Sequence, residues 1–172
     1  MPEVKQPFFT IGVAAYNRRE MLKECLDSIS AQTFIDFEVI VGNDYTSDKL
    51  SLDEFNLDDQ RFKIVNHDKN LGEMNNMNWL LHAANGRYFT WLADDDAYYP
   101  AFLESIFDAL NKYSLLTCVF TSFHMSENFP EMTETTIASA TLYEGKEFLR
   151  LYLERRVKLH GCYGVFEKEY LI

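Results

Sequence analysis

The sequence predicts an α/β fold, a mainly parallel sheet with helices on both faces, and three observations lead to it. Short apolar runs rich in β-branched and aromatic residues alternate with segments whose apolar residues recur at helical spacing. One such run, residues 88–92, leads within two residues into three adjacent carboxylates, Asp94, Asp95 and Asp96. Polar clusters also follow the first two runs, at residues 14–17 and 43–45. A sheet of this kind gathers the carboxyl ends of its strands at one edge, where ligands bind.

Residues 8–14 (FFTIGVA) read as a buried first strand. Asn17 reads as a helix N-cap, with Glu20 three residues later completing a capping box. The helix continues to about residue 32 on an apolar stripe of Met21, Leu22, Cys25, Leu26 and Ile29. Residues 37–41 form a second strand, and 42–48 a polar loop. A short helix and turn are expected over 50–59 and a third strand over 61–65. Residues 72–84 read as a helix stopped by Asn85-Gly86. The fourth strand is 88–92, and Pro100 opens a helix reaching about 113 on the core stripe Phe102, Ile106 and Leu110. A fifth strand over 116–123, a polar loop over 126–140, a helix over 144–155 and a short strand over 163–166 complete the expectation. No internal repeat or low-complexity linker interrupts the 172 residues.

Composition narrows the function. With 47% hydrophobic and 15% aromatic residues the chain can build a real core in one domain. A net charge of -11 argues against general affinity for nucleic acid or anionic membrane. The same charge would repel an anionic nucleotide unless a cation bridged them. Cys25, Cys118 and Cys162 are odd in number and form no CxxC pair, which suits reduced thiols in a cytoplasmic protein. The opening residues hold no signal-peptide core, and no apolar run approaches the length of a membrane span. Peripheral attachment at the inner face of a membrane stays open.

Three adjacent carboxylates at the end of a buried strand repel one another and are costly to desolvate. A divalent cation makes them tolerable, and Mg²⁺ or Mn²⁺ commonly shares its shell with substrate phosphates. The plainer alternative is a solvated acidic loop. Asp44 could merely shape a turn, Tyr16 could be only a half-buried aromatic, and Asn17 could be a cap alone. Asn78 lies on a helix, where asparagine is a poor former. His67, His82, His124 and His160 have no zinc-type spacing and read as structural or surface residues, with His160 able to approach an acceptor. The basic residues Lys146, Arg150, Arg155, Arg156 and Lys158 read as a solvated face that could also touch phosphate or an anionic lipid.

The run Val13-Ala14-Ala15-Tyr16-Asn17-Arg18, then a helix and residues 32–44 (QTFIDFEVIVGND), resembles the opening of GT-A fold glycosyltransferases of the large inverting family 2. Asn70-Leu71-Gly72, Asn78 and residues 84–88 (ANGRY) before the acids are similar to that family's middle segment, and residues 161–171 echo it further. Ala14-Ala15 stand where the family usually has Pro-Thr, Ala93 stands at the first acid of a DxD pattern, and Met77 replaces a frequent basic residue. The resemblance implies a Rossmann-like nucleotide-diphospho-sugar transferase fold in a single domain. It implies that residues 14–17, Asp44, Asn78 and Asp94 bind the nucleotide sugar. Tyr16 would lie on the base, Asp44 would accept a uracil imide hydrogen, and Asp94 would approach the ribose or sugar. Asp95 would hold Mn²⁺ or Mg²⁺, with Asp96 in the metal shell or at the donor sugar.

The implied reaction is inverting transfer from a nucleotide-diphospho-sugar, a UDP-sugar first and a GDP-sugar second, to a glycan or lipid-linked saccharide in bacterial polysaccharide synthesis. The family's general base lies past a segment like 161–171, so the base is expected beyond Ile172, in a chain truncated before the end of its acceptor half. Two other readings accompany this one. The first is a non-catalytic nucleotide-sugar-binding module or half of a split enzyme. The second is a nucleotidyltransferase, which the lack of glycines in residues 14–18 disfavours. Homo-oligomerisation is open, through apolar surface left by an absent half.

Overall fold

The computed structural model describes residues 6–113, 116–121, 141, 143–154 and 164–172. The expected strand over 116–123, loop over 126–140 and start of the last strand at 163 lie wholly or partly outside them, as do Cys162, His124, His160, Arg155, Arg156 and Lys158. The elements are β1 (Phe9–Ala15), α1 (Arg19–Ser30), β2 (Phe37–Asn43), β3 (Phe62–Asn66), α2 (Glu73–Ala83), β4 (Tyr88–Ala93), α3 (Phe102–Lys112), β5 (Cys118–Phe120), α4 (Gly145–Leu153) and β6 (Gly164–Glu167). A short 3₁₀ turn, Leu52–Phe55, stands where the helix over 50–59 was expected.

The described strands form one sheet in the order β3-β2-β1-β4-β6-β5. β1 is central and parallel to β2 and β4, and β3 is parallel to β2. β6 runs antiparallel between β4 and β5. The chain winds outward from β1 through β2 to β3, then returns to the other side of β1 as β4. That reversal is the switch point where ligands collect in open α/β sheets.

Alternation along each strand divides the core between two faces. Phe9, Ile11 and Val13 of β1, Val39 and Val41 of β2, and Leu92 of β4 pack with Leu22, Cys25, Leu26 and Ile29 of α1 and Leu103 and Ile106 of α3. Ile40 and Phe89 point the other way and pack with Leu80 and Leu81 of α2. Of the expected α1 stripe, Met21 is half exposed and the other four residues are buried. No described helix is long and apolar enough to cross a membrane.

Two local expectations are corrected. Asn17 is not the cap of α1: it adopts φ 52°, and Arg18 occupies the N-cap position without a side-chain capping bond. Asparagine tolerates this left-handed conformation, and here it turns the chain out of β1. The stop after α2 does not use the left-handed conformation of Gly86 either. Ala84 leaves the helix in an extended conformation, and Gly86 is absent from the positive-φ residues. Gly86 is required by close approach, since a Cβ there would lie 2.5 Å from the Thr10 amide nitrogen. Thr10 Oγ1 accepts the Gly86 amide at 2.7 Å and donates to Glu38 Oε1 at 2.6 Å, while Glu38 also accepts from the Asn85 amide. This polar lattice, buried at Thr10 and Gly86, ties the α2–β4 turn to β1 and β2.

Candidate active site

Strand register places the polar clusters at one edge. Ala14 pairs with Ala93, and Ala15 pairs with Asn43. The residues that follow, Tyr16, Asp44 and Asp94, therefore emerge together from β1, β2 and β4. Asp44 donates its amide to the Ala15 carbonyl at 3.0 Å. The Tyr16 amide donates to Asp94 Oδ2 at 3.0 Å.

Asp94 is fully buried. Its Oδ1 is in ion-pair contact with Arg18 Nη2 but receives no aligned hydrogen bond. Arg18 Nη1 also donates to Asp95 Oδ2 at 2.5 Å, so one guanidinium spans two neighbouring carboxylates. Burial raises the Asp94 carboxyl above its ordinary value, the Tyr16 amide and Arg18 pull it back, and Asp95 pushes it up. Asp95 is partly exposed, and the Asp96 amide donates to the Ala93 carbonyl at 3.1 Å, turning the acid run back on itself.

Asp44 is a buried carboxylate with a structural task in hand. Its Oδ1 accepts the Leu71 amide at 2.6 Å, and its Oδ2 accepts the Gly72 amide at 2.8 Å. Gly72 is the N-cap of α2 at φ 79°, with no cap from its own side chain. Asp44 thus caps α2 from another element and places a negative charge at the helix's positive end.

Tyr16 is half exposed, with its ring edge-on to Tyr45 at 5.3 Å between centroids. Beside them a cleft of about 280 Å³, open to solvent, is walled by Asn17, Arg18, Arg19, Asn43 and Tyr45. Asn43 is fully engaged: its Nδ2 donates to the Asp48 carbonyl and Asn66 Oδ1, each at 2.8 Å, and its Oδ1 accepts the Tyr45 amide. Arg19 turns away to Asp48 and Glu54.

Asn78 is exposed on α2, and among the described residues its side chain makes no hydrogen bond to the acid run. The asparagine engaged with the sheet is Asn76, which donates to the Gly42 carbonyl at 2.8 Å and lies 3.0 Å from His67 Nε2. Sequence reading also gave no role to Gln32, which is buried and accepts the Leu103 amide at the start of α3 at 3.0 Å. Its Nε2 donates to the Tyr99 carbonyl at 2.8 Å, fixing the chain just past the acids. Neither residue carries a signal in its own neighbourhood, because each partner is distant in sequence. Arg18 did carry one, as the basic residue beside Tyr16-Asn17 in a chain with a later acid run.

Among the described residues no three His, Cys, Asp or Glu side chains already form a metal-holding group. The donor chemistry still suits a hard cation. Asp94 Oδ1 is a buried carboxylate oxygen without a hydrogen bond, and Asp95 lies beside it, so both need positive charge. Arg18 supplies that charge here, and a metal on Asp95 would have to displace its contact with that carboxylate.

Behind the acids, Cys25 is fully buried, and its Sγ lies 3.6 Å from the Ala93 carbonyl. Burial first, then the charges of Asp94, Asp96 and Asp95, raise its thiol well above the ordinary value. The unfolded chain would ionise this thiol first, so its contribution to stability is intact below the ordinary thiol range and is lost above roughly pH 8.5. Cys25 is expected to resist a thiol reagent in the native protein while the partly exposed Cys118 reacts. Timed labelling followed by peptide mass spectrometry checks this, and rapid native labelling of Cys25 would contradict it.

The sequence matches the profile described as Glycosyl transferase family 2 over residues 10–169. The chain belongs to glycosyl transferase family 2. An uncharacterized glycosyltransferase of Haemophilus influenzae is 36% identical over 115 residues, covering 66% of this chain and 36% of that protein. A GalNAc(5)-diNAcBac-PP-undecaprenol beta-1,3-glucosyltransferase of Campylobacter jejuni is 32% identical over 109 residues, covering 62% of this chain and 35% of that protein. This family 2 chain thus spans about a third of the length of these relatives. Among solved structures, S. aureus TarS 1-349 in complex with UDP-GlcNAc superposes with a TM-score of 0.67 at 20% identity, over 95% of this chain and 46% of that one. The mannosyltransferase PcManGT from Pyrobaculum calidifontis, in complex with GDP-Man and Mn²⁺, superposes with a TM-score of 0.61 at 18% identity, over 98% of this chain and 46% of that one. These likenesses bear out the GT-A fold expected from sequence.

Proposed function

We propose that this family 2 domain binds a nucleotide-diphospho-sugar, a UDP-sugar by preference, as the donor for transfer to a glycan or lipid-linked acceptor. The observation that carries the reading is the register-aligned convergence of Tyr16, Asp44 and Asp94 at the switch point between β1 and β4. The UDP-GlcNAc of one structural neighbour and the undecaprenol-linked acceptor in the name of one relative support the choice of chemistry.

In this reading Tyr16 offers an exposed ring face to the base. Asp44 has both oxygens engaged by backbone amides, yet each carboxylate oxygen can accept a second hydrogen bond. It therefore remains able to take a uracil imide hydrogen while holding α2. Residues 14 and 15 are small, which lets the donor approach the β1 backbone, and Asn17 sets the turn that aims Arg18 at the acids. Asp94 is oriented by the Tyr16 amide toward ribose or sugar hydroxyls, for which it is a pure acceptor. Asp95 and Asp96 would hold Mn²⁺ or Mg²⁺, which when bound would offset diphosphate charge as the nucleoside diphosphate leaves. The family resemblance implies direct displacement with inversion, by a base supplied from an acceptor half.

Calorimetric titration with UDP, GDP and CDP, each with and without Mn²⁺, tests the reading. UDP is expected to bind, with Mn²⁺ tightening it about tenfold or more, and Asp95→Ala is expected to remove that gain. Absence of binding by all three nucleotides would overturn the donor-site reading. Binding of GDP alone would redirect it to a GDP-sugar.

A further inference from the structure

We propose that Arg18 is a built-in counter-cation for the Asp94–Asp95 pair, so that the guanidinium competes for the Asp95 carboxylate with a divalent cation held by Asp95 and Asp96. The inference rests on the donor-site reading and adds to it a residue that sets the threshold for metal entry.

Arg18 bridges the pair through two different nitrogens, Nη1 to Asp95 Oδ2 and Nη2 to Asp94 Oδ1. A planar guanidinium can span two carboxylates in this way where an ammonium acts as a single point charge. The contact answers a specific need, because Asp94 is fully buried and its Oδ1 has no hydrogen bond. A buried charge without a counter-charge is strongly destabilising. The position is otherwise a poor one for a cation. Arg18 is the N-cap of α1, where the helix end is itself positive.

The neighbouring Arg19 goes instead to Asp48 and Glu54, so the bridge belongs to Arg18 and is not a general property of the basic pair. The Arg18 side chain is 43% exposed, so it can swing into solvent without opening the core. Once displaced it would remain on the wall of the cleft that Asn17 and Tyr45 also line, with its donors available to phosphate oxygens.

The test is Mn²⁺ binding followed by electron paramagnetic resonance of the free ion, on the wild-type chain, Arg18→Gln, Arg18→Lys and the control Arg19→Gln. Competition requires Arg18→Gln to bind Mn²⁺ about tenfold or more tighter than wild type, with Arg18→Lys between them. Arg19→Gln removes the same charge one residue away and is expected to stay within about threefold of wild type. Thermal melts supply a second readout: Arg18→Gln should melt lower than wild type in chelator and recover more on adding Mn²⁺. Should Arg18→Gln fail to fold without metal, purification in Mn²⁺ with loss of fold on chelation meets the same expectation.

Equal or weaker Mn²⁺ binding by Arg18→Gln overturns the proposal, as does an equal gain in Arg19→Gln. UDP titration of the wild type separates the two levels. Intact UDP binding with unchanged Mn²⁺ affinity in Arg18→Gln sinks the competition alone. Loss of all nucleotide binding sinks the donor site beneath it.

Discussion

Asp44→Ala is expected to destabilise the fold by about 2–4 kcal/mol and to abolish nucleotide binding. The carboxylate accepts the Leu71 and Gly72 amides from a buried position, and its removal takes away the Leu71 acceptor while Gly72 keeps Asn70 Oδ1 at 2.8 Å. An unsatisfied buried donor costs about 1–3 kcal/mol, and loss of a negative charge at a helix N-terminus adds to it. Asp44→Asn keeps the volume and one acceptor, and about half the loss is expected. Urea unfolding measures the stability change, and calorimetry with UDP measures the binding. A variant that keeps wild-type stability would show that the α2 turn is held by other contacts. Wild-type nucleotide affinity in Asp44→Asn would remove Asp44 from base recognition while leaving its structural task.

Gly86→Ala is expected to cost about 3 kcal/mol, because the added methyl group would meet backbone and not a movable side-chain end. The added Cβ would lie 2.5 Å from the Thr10 nitrogen and 2.6 Å from the Phe9 carbonyl carbon, both in the central strand. Backbone atoms of β1 cannot yield without disturbing the pairing with β2 and β4. Gly72→Ala makes the informative contrast. Nothing lies within 4 Å of its Cβ position, but its φ of 79° is strained for an L side chain. Its expected cost is the conformational one, roughly 1–3 kcal/mol. Urea unfolding of both variants separates close approach from backbone strain. A Gly86→Ala variant as stable as wild type would mean that the α2–β4 turn can lift from β1.

The two glycines also mark where local sequence stops being informative. Asn85-Gly86 after a helical pattern has the form of a C-terminal stop, yet Gly86 serves a contact with Thr10, 76 residues earlier. Asn17 has the form of a cap, yet its left-handed turn belongs to the strand exit, and Glu20 has no capping partner in it. Of the α2 asparagines, helical phase leaves Asn78 exposed and carries Asn76 to the Gly42 carbonyl. In each case a local rule was sound and a distant partner decided the outcome.

By itself, the sequence determined the succession of strands and helices, because hydrophobic period and chain punctuation are local properties. It also determined that Tyr16, Asp44 and Asp94 to Asp96 follow strand ends, and so the edge at which chemistry is to be sought. The antiparallel insertion of β6 between β4 and β5, the Asp44 clamp on α2 and the Arg18 bridge across Asp94 and Asp95 were decided only in the tertiary structure. Each joins groups from 27 to 79 residues apart. The physical reason is that a buried charge or an open strand edge requires a partner, and which partner it meets is set by how the whole sheet assembles.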